Sequence, residues 1–388
     1  MMAAMLFARA GVRTVLLEKH GDFLRDFRGD TIHPSTLEVM AELGLLESFL
    51  ERPHQEVATL AGNLGDKIVT VADFRHLPTR CKFVAFMPQW EFLNFLAEKA
   101  RRFPSLDLQM ESRAEGLLWQ DGRVAGVRAQ TPAGSLEIHA ALTIAADGRE
   151  STLRRTAGLD VVELGAPMDV LWLRLTKHAD DPHETFGYIR GGRIMALIDR
   201  GVYWQCAYVI PKDTVEELRA RGLEAFRRQV SAIVPFLHDR VAEIAGWEDV
   251  KLLTVRVNRL RRWYRPGFLC IGDAAHAMSP IGGVGINLAI QDAIAAANLL
   301  AVRLRCGELS ERDLAAVQRR RDRPAKLTQA LQLFIQSRII GRVLDDGRAP
   351  LLARLPGLIR WLPFLPRIPG RLVGLGFRPE HVLNFSIR

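Results

Sequence analysis

The chain has few cysteines, and they show no pattern that would hold a metal. Its 388 residues include four, which are scattered along the sequence at Cys81, Cys206, Cys270 and Cys306. None stands at a metal-ligand spacing, and so few cysteines argue against a disulfide framework. The sequence therefore predicts a cytoplasmic protein with reduced thiols, in which Cys270 is a small residue of the core.

The sequence also lacks an apolar run that suggests a membrane-spanning helix, and its apolar first ten residues lack the basic leader of a signal peptide. The formal net charge is +9, but the basic residues are spread out and no nucleic-acid-binding motif accompanies them. We therefore expect no nucleic-acid partner. With 48% hydrophobic and 25% charged residues, the composition is that of a globular protein with a sizeable core.

The tail after Pro350 is apolar, basic and interrupted by prolines. Two interpretations stay open for it. The tail makes weak contact with a membrane surface, with Trp361 at headgroup level, or it forms short helices that pack on the body. Pro356, Pro363 and Pro366 favour the second interpretation, because prolines break a continuous amphipathic helix.

The most informative segment covers residues 270–287, Cys-Ile-Gly-Asp-Ala-Ala-His-Ala-Met-Ser-Pro-Ile-Gly-Gly-Val-Gly-Ile-Asn. It predicts a buried strand over Gly267–Ile271, a glycine-rich loop and a long apolar helix over about 285–304. Glycines let backbone N–H groups approach a ligand, and a helix N-terminus carries partial positive charge. With the carboxylate of Asp273 at the strand end, the segment predicts a cradle for a large cofactor.

A second informative segment follows another predicted strand, which runs into an Asp-Gly turn at Asp147. Ser151 is placed to cap a short helix that carries Arg154. An Asp-Gly turn alone is weak evidence, but Glu18 and Asp273 also follow predicted strands. Because open α/β sheets bind ligands at the carboxyl ends of their strands, three acidic strand ends predict one shared edge over one cofactor.

The pattern along the chain predicts two kinds of sheet. Apolar runs at Val12–Leu17 and Ala141–Ala145 predict strands of a nucleotide-type domain, and Gln89–Arg102 predicts a helix. Beyond Gly158, short runs between turn residues predict an antiparallel sheet. Its predicted elements are strands over Met168–Thr176, Thr185–Ile189, Arg193–Asp199 and Tyr203–Ile210, a helix over Thr214–Val230 and a strand over Leu252–Val257.

Together these pieces resemble the para-hydroxybenzoate-hydroxylase-like, or class A, FAD-dependent monooxygenases. The resemblance spans about residues 1–304, and the run from Gly272 to Asn287 is its most specific part. The other matching pieces are Glu18 after a strand, Arg28 ten residues on, Gln89 at a helix start, and Asp147 with Ser151 and Arg154.

The resemblance implies an α/β fold in which an FAD-binding Rossmann-like parallel sheet domain, of the glutathione-reductase type, is interrupted by an antiparallel-sheet substrate domain. On this chain the FAD-binding domain would take residues 1–58, 84–158 and 258–310. The substrate domain would take residues 59–83 and 159–257, and residues 311–388 would form a helical C-terminal region.

The resemblance also assigns cofactor-binding residues at the adenine end of FAD. Glu18 is expected to hold the ribose hydroxyls, since a carboxylate accepts two hydrogen bonds well. Arg28 and Gln89 are expected near the pyrophosphate. Asp147 and Arg154 resemble residues that interact with both FAD and NAD(P)H.

At the flavin end, Asp273 resembles the carboxylate that binds the ribityl chain, and Pro280 is expected beside the reactive face of the isoalloxazine. The first turn of the helix would present backbone N–H groups to the pyrimidine edge, which becomes anionic on reduction. The residues assigned to this end of the cofactor are Asp273, Pro280, Gly283, Gly285, Ile286 and Asn287.

The family's first strand and its Gly-x-Gly-x-x-Gly loop have no counterpart ahead of Glu18. Because the ribose acid follows those glycines by about twenty residues, the chain is expected to begin just past the third glycine. Loss of that strand would leave unpaired backbone on its neighbours and would remove part of the pyrophosphate cradle. We therefore expect weaker FAD binding than in a chain extended at its N-terminus.

The implied activity is that of an NAD(P)H-dependent monooxygenase. A flavin hydroperoxide formed with O2 would hydroxylate an aromatic or polyketide/isoprenoid-like small molecule. Two alternatives stay open, an FAD-dependent reductase or dehydrogenase on the same fold and a truncated non-catalytic homologue.

Side chains of the antiparallel sheet are expected to line the substrate site. No catalytic base is identifiable in the sequence. His54, His76 and His276 are candidates by residue type alone, and the place of His276 inside the glycine-rich segment favours a structural role. The predicted lining residues are Tyr188, Met195, Tyr203, Trp204 and Tyr208.

Overall fold

The fold combines short parallel sheets, a seven-stranded largely antiparallel sheet and long C-terminal helices. The computed structural model describes residues 1–24, 31–64, 67–182, 186–346 and 364–383. Arg28 and tail residues 350–363 lie outside this set, and the predicted membrane contact of the tail falls largely on them. The described α-helices are α1 (Met2–Arg9), α2 (Pro34–Glu42), α3 (Leu46–Leu50), α4 (Gln89–Ala100), α5 (Thr152–Thr156), α6 (Val215–Ala220), α7 (Leu223–Ile233), α8 (Val284–Cys306), α9 (Glu311–Ile335), α10 (Gly341–Asp346) and α11 (Arg367–Gly374).

Twenty-one strands are assigned in the described residues, and most are short. The strands are β1 (Thr14–Leu17), β2 (Thr31–Ile32), β3 (Gln55–Val57), β4 (Thr59–Leu64), β5 (Lys67–Asp73), β6 (Val84–Phe86), β7 (Leu106–Gln109), β8 (Arg113–Gln120), β9 (Arg123–Thr131), β10 (Gly134–His139), β11 (Thr143–Ala145), β12 (Val161–Glu163), β13 (Met168–Thr176), β14 (Phe186–Arg190), β15 (Arg193–Asp199), β16 (Tyr203–Pro211), β17 (Lys251–Leu253), β18 (Asn258–Leu260), β19 (Tyr264–Arg265), β20 (Phe268–Cys270) and β21 (His276–Ala277).

Two parallel strand pairs form the nucleotide-type part of the fold. β1 runs parallel to β7, and β11 runs parallel to β20 with Ala145 opposite Cys270. β8, β9 and β10 form a separate antiparallel meander. The predicted α/β fold class is confirmed, and the carboxyl ends of β11 and β20 lie side by side, where a ligand site is expected.

Helix α8 is the central helix of this part and packs against α1 and α9. By length and mean hydropathy, residues Ile281–Cys306 would qualify as a membrane span, contrary to the sequence-based prediction, but 67% of the qualifying window is buried inside the protein. Its inner face is rich in alanine, including Ala293, Ala296 and Ala297, which allows close approach of the neighbouring helices. The helix ends because Gly307 is left-handed, with φ of 71°.

The seven-stranded sheet has the order β17-β13-β16-β15-β14-β4-β5, in which only the β14–β4 pair is parallel. Its two faces differ because side chains alternate along each strand. One face is covered by α6 and α7, and Phe226 and Val230 of α7 pack on it. The other face carries Trp172, Ala196 and Ala207.

This alternation corrects the predicted substrate lining. Tyr188, Met195, Trp204 and Tyr208 all belong to the core beneath α6 and α7, so the prediction is wrong for these four residues. Tyr203 alternates to the opposite face. Sequence alternation separates the two faces of a strand, but it does not say which face the helices cover.

The other predicted helix and strand boundaries are confirmed in part. β13 and β15 have the predicted bounds, and α4 begins at the predicted Gln89. The single helix predicted over Thr214–Val230 is wrong, because Gly222 has a φ of 86° and separates α6 from α7. The strand predicted over Leu252–Val257 is shortened to β17.

Candidate functional site

The glycine-rich segment folds into a sharp return between β20 and α8. After β20 comes a 3-10 turn at Gly272–Ala274, then β21, a loop, a second 3-10 turn at Ile281–Gly283 and the start of α8. Residues on both sides are buried, whereas residues 280–286 are mostly half-buried. The segment therefore presents an accessible strip of backbone at the N-terminus of a buried helix.

Asp273 lies beside the first turn of α8. A β-carbon placed on Gly285 would be 3.9 Å from Asp273 Oδ1, so the two positions face each other across a narrow gap. No side chain caps α8, whose N-cap Gly283 is left-handed with φ of 61°. The first backbone N–H groups of an α-helix have no α-helical acceptor, so this gap combines N–H donors, a positive helix dipole and one carboxylate.

Glycine is required at two positions of this return. A β-carbon on Gly283 would be 2.0 Å from Thr31 Oγ1, which donates a hydrogen bond to the Gly283 carbonyl at 3.0 Å. A β-carbon on Gly272 would be 2.9 Å from the β-carbon of Ala289. Both residues also have positive φ, so any side chain there would strain the backbone and separate packed elements.

The side chain of Asn287 is fully used inside the protein. Its Oδ1 accepts hydrogen bonds from the His33 backbone N–H at 2.9 Å and from Thr36 Oγ1 at 2.8 Å. Its Nδ2 donates to the carbonyls of Thr31 at 3.0 Å and Gly283 at 3.2 Å. Asn287 therefore ties the β2–α2 segment to α8, and the predicted role toward a cofactor is left to its backbone.

Arg154 supports the turn at Gly272–Ala274 from beneath. It is buried, and its guanidinium donates to the carbonyls of Ala274 at 3.1 Å and Arg149 at 2.7 Å. The predicted Ser151 cap is confirmed, since Ser151 Oγ accepts from the Arg154 N–H at 3.0 Å. Asp147 is exposed and accepts from the Leu153 N–H at 3.3 Å, which also orders this short helix.

The other predicted site residues are spread over separate elements. Glu18 follows β1, is half-buried and accepts from the His20 N–H at 3.0 Å. Gln89 is the first residue of α4 and is also half-buried. Pro280 and Ile286 lie on the accessible strip, and Arg28 lies outside the described residues.

A buried carboxylate, Asp292, organises the glycine-rich return from behind. Its Oδ2 accepts from the Gly272 N–H at 3.0 Å and lies 2.6 Å from His276 Nε2, and its Oδ1 accepts from Arg321 Nε at 3.0 Å. Arg321 also pairs with Glu380 at 3.3 Å. Burial alone would raise the pKa of Asp292, but His276 and Arg321 outweigh it and hold the pKa below its usual value.

The histidines divide into structural ones and one that sequence reasoning missed. His276 is buried beside the Trp263 ring, and its bond to Asp292 bears out the structural interpretation. His33 is buried at the start of α2, and its Nδ1 lies 2.7 Å from the Val373 carbonyl. Burial lowers the pKa of His33 to about 4, against carbonyls of Val373 and Gly282 that favour the charged form. The sequence feature that could have indicated His33 is its position directly before Pro34, at the start of a helix.

An apolar groove adjoins the accessible strip. The groove is partly open to solvent. Ile281, Gly282 and Val284 of the strip form one wall. The other walls come from α8, α9 and the C-terminal segment, and include Leu331, Ile335, Leu372, Val373 and Phe377.

Comparison with known proteins indicates which cofactor this arrangement of residues holds. A sequence profile of the FAD binding domain matches residues 1–330. A 6-methylpretetramide 4-monooxygenase from Streptomyces rimosus is 34% identical over 355 residues, covering 90% of this chain and 83% of that protein. The chain belongs to the class A FAD-dependent monooxygenase family. The family resemblance seen in the sequence is therefore confirmed, and so is FAD as the cofactor.

Two further similar proteins are also named as a monooxygenase or a hydroxylase. A 12-dehydrotetracycline 5-monooxygenase/anhydrotetracycline 6-monooxygenase from Streptomyces rimosus subsp. rimosus is 28% identical, covering 76% of this chain and 59% of that protein. The solved OxyS anhydrotetracycline hydroxylase from Streptomyces rimosus has a TM-score of 0.74 at 24% identity, covering 98% of this chain and 74% of that chain. This chain covers less than two thirds of the length of the first protein. The likeness to the second shows that the two chains share a fold.

The residues of the strip fit FAD by their chemistry. The Asp273 carboxylate suits hydroxyl groups, which donate hydrogen bonds to it. The uncapped first turn of α8 offers N–H donors to an electron-rich ring edge, and the dipole there favours negative charge. Gly285 keeps the gap between them open, because any side chain at this position would fill it.

The buried His33 predicts a pH-dependent stability. A folded pKa of about 4 against an unfolded value of about 6.5 means that the neutral form is favoured in the fold. Its contribution is complete above pH 6.5 and falls as the pH drops toward 4, by at most about 3 kcal/mol. Urea unfolding between pH 7.5 and 4.5 should show a steeper loss for the native chain than for His33→Asn, which keeps a donor for Val373 but does not titrate. Parallel curves would contradict this.

Proposed function

We propose that this protein hydroxylates a polycyclic aromatic small molecule of the polyketide type, with NAD(P)H and O2 as co-substrates. The observation that carries the proposal is the 34% identity over 90% of the chain with a protein named for action on 6-methylpretetramide. A second relative is named for tetracycline derivatives, which are also fused-ring compounds. The apolar groove beside the FAD strip supports the same class of substrate.

The chain's own residues would hold the cofactor and control its surroundings. Bound FAD supplies the redox and oxygen chemistry, which the protein does not supply itself. Asp273 would accept hydrogen bonds from hydroxyls of the cofactor, and the first turn of α8 would stabilise negative charge on the adjacent ring edge. The glycine-rich return, fixed by Asp292 and Arg154, would keep these groups in place without reorganisation.

The groove suits a flat apolar substrate. Ligand sites are lined mainly by apolar side chains, with a few polar groups that set orientation. Here the apolar wall includes Leu331 and Ile335, and the polar groups at the groove include His33 and Ser35. Because its pKa is low, His33 is neutral at pH 7, and its side chain places no charge beside an apolar substrate.

A small apolar core lies between the groove and the open face of the seven-stranded sheet. Val373 and Leu375 line the groove and also pack on a small core around Phe74 and Phe86. Ile198, on the open sheet face with Trp172 and Ala207, packs on the same core. A substrate in the groove would thus lie beside the FAD strip, and the apolar side chains around it would exclude water.

An oxygen-label experiment tests the proposed reaction. The FAD-loaded protein is given NAD(P)H, heavy-isotope O2 and anhydrotetracycline as the probe, and the product is analysed by mass spectrometry. The proposal predicts substrate-dependent NAD(P)H consumption and one labelled oxygen atom in the product. NAD(P)H consumption without oxygen, with hydrogen added to the probe, would instead identify a reductase. Across a panel of fused-ring aromatics, no labelled product would contradict the proposal.

A space-filling substitution tests the groove as the substrate site. Leu331→Trp would narrow the groove, so we expect KM for the fused-ring substrate to rise about tenfold, the effect of losing a few apolar contacts, while FAD content is unchanged. Leu327→Trp is the matched control, because Leu327 lies on the same helix and is 41% exposed to solvent. Equal KM values for both variants would place the substrate elsewhere.

A further inference from the structure

The loop between β21 and α8 has no ladder of its own. Residues 278–280 join the end of β21 to the 3-10 turn at Ile281–Gly283, and Ser279 is buried at 2% exposure. Buried backbone N–H and C=O groups need hydrogen-bond partners, and an irregular loop cannot supply them all internally. The partners must therefore come from a neighbouring element, and they fix the path of the loop.

Glutamine side chains of α9 and the turn after it supply those partners. Gln329 Nε2 donates to the carbonyls of Asn258 at 2.8 Å and Ala277 at 3.0 Å. Gln332 Nε2 donates to the carbonyls of Ser279 at 3.0 Å and Ile281 at 2.9 Å.

Gln332 and its neighbour also hold the centre of the loop. The Gln332 Oε1 accepts from the Ser279 N–H at 3.2 Å. Gln336 Nε2 donates to Ser279 Oγ at 2.6 Å, and that hydroxyl accepts from the Ile281 N–H at 3.3 Å. Ser279 and Ile281 are thereby held by side chains of α9 and of the turn after it.

The three glutamines form one buried polar face. They are spaced three and four residues apart, which places them on the same side of a helix, and they are 0–3% exposed. Burying an amide costs free energy unless it is hydrogen-bonded, and the amide N–H groups of Gln332 and Gln336 are bonded to this loop. Gln336 is the first residue of a π-turn over Gln336–Ile340, an irregularity that often marks a functional position in a helix.

The loop held in this way is the connection across the FAD cradle. It begins four residues after Asp273 and ends at the turn that starts α8, and Asp273 faces Gly285 across the gap. A cofactor in that gap must therefore lie against the loop. A shift of the loop would change both the width of the gap and the groups that face the cofactor ring.

We propose that Gln332 and Gln336 are positioning residues for FAD, which set the loop 277–281 against the flavin ring through its backbone and through Ser279. Both lie beyond residue 330, where the match to the FAD binding domain ends. The inference rests on FAD binding, which family membership establishes, and not on the proposed substrate.

A matched pair of substitutions on one helix tests this. Gln332→Met removes three hydrogen bonds to the loop and keeps the length of the side chain. Gln318→Met is the control, because Gln318 also lies on α9 and also holds a loop by its backbone, through the Trp263 N–H and the Arg261 carbonyl. Both variants lose bonds of the same kind, but only one of the two loops faces the cofactor.

Three quantities are measured, namely FAD dissociation by fluorescence, the midpoint potential of the bound flavin and hydrogen exchange of residues 277–281 in the apoprotein. We expect Gln332→Met to raise the Kd for FAD about tenfold or more, to shift the potential and to speed exchange in the loop. Gln318→Met should leave all three close to native values even if its unfolding midpoint falls equally. Equal effects of both variants, or native values for Gln332→Met, would overturn the proposal.

Smaller changes keep the test decisive if Gln332→Met does not fold. Gln336→Met and Ser279→Ala each remove the same side-chain bond from opposite ends. Ser279→Ala also removes the bond from the Ile281 N–H. The proposal predicts that the effects of the two changes on the flavin potential are not additive, because the bond between Gln336 and Ser279 is lost in both single variants and is lost only once in the double variant. Additive effects, or no effect of either change on the potential, would contradict it.

Discussion

The Asp292 carboxylate is the interaction on which the cofactor site depends. It is fully buried on α8 and binds three groups from different parts of the chain, the Gly272 N–H, His276 and Arg321. A buried carboxylate is stable only when its partners are in place, and removing one partner from such a pair typically costs about 3–5 kcal/mol. Asp292 therefore links the glycine-rich return, the strand that follows it and α9 through one buried group.

The C-terminal helices are consequently part of the cofactor site and not an appendage to it. Arg321 extends the buried network to Glu380, and the Glu380 N–H is bonded to Gln291 of α8. His33 reaches Val373 from the other side. The strip that faces FAD is thus supported by residues distributed from Thr31 to Glu380, which explains how so accessible a loop keeps one shape.

The sequence predicted well those features that local chemistry determines. The alternation along Met168–Thr176 marks β13, and the Ser151 cap follows from the preference of serine for helix starts. The glycine-rich segment identified the family because so many placed glycines serve close backbone approach.

The remaining features depend on partners far away in the chain, which no local pattern encodes. The sheet face that α6 and α7 cover was assigned wrongly for Tyr188 and Trp204, since alternation says nothing of what lies opposite. The roles of Gln332 and Gln336 depend on a loop more than fifty residues earlier. The side chain of Asn287 holds the β2–α2 segment, which lies more than 250 residues earlier in the chain. Gly222 broke a helix that the apolar spacing favoured.

The central claim is that buried charge behind the glycine-rich return holds the FAD cradle in shape. It is tested most directly by FAD titration of Asp292→Asn, which keeps an acceptor for Gly272 but removes the charge that pairs with Arg321. The control is Asp322→Asn, which removes a carboxylate of α9 that pairs with Lys326. The account predicts a Kd for FAD raised about tenfold or more in Asp292→Asn and nearly native in the control. Native FAD affinity in Asp292→Asn would contradict it.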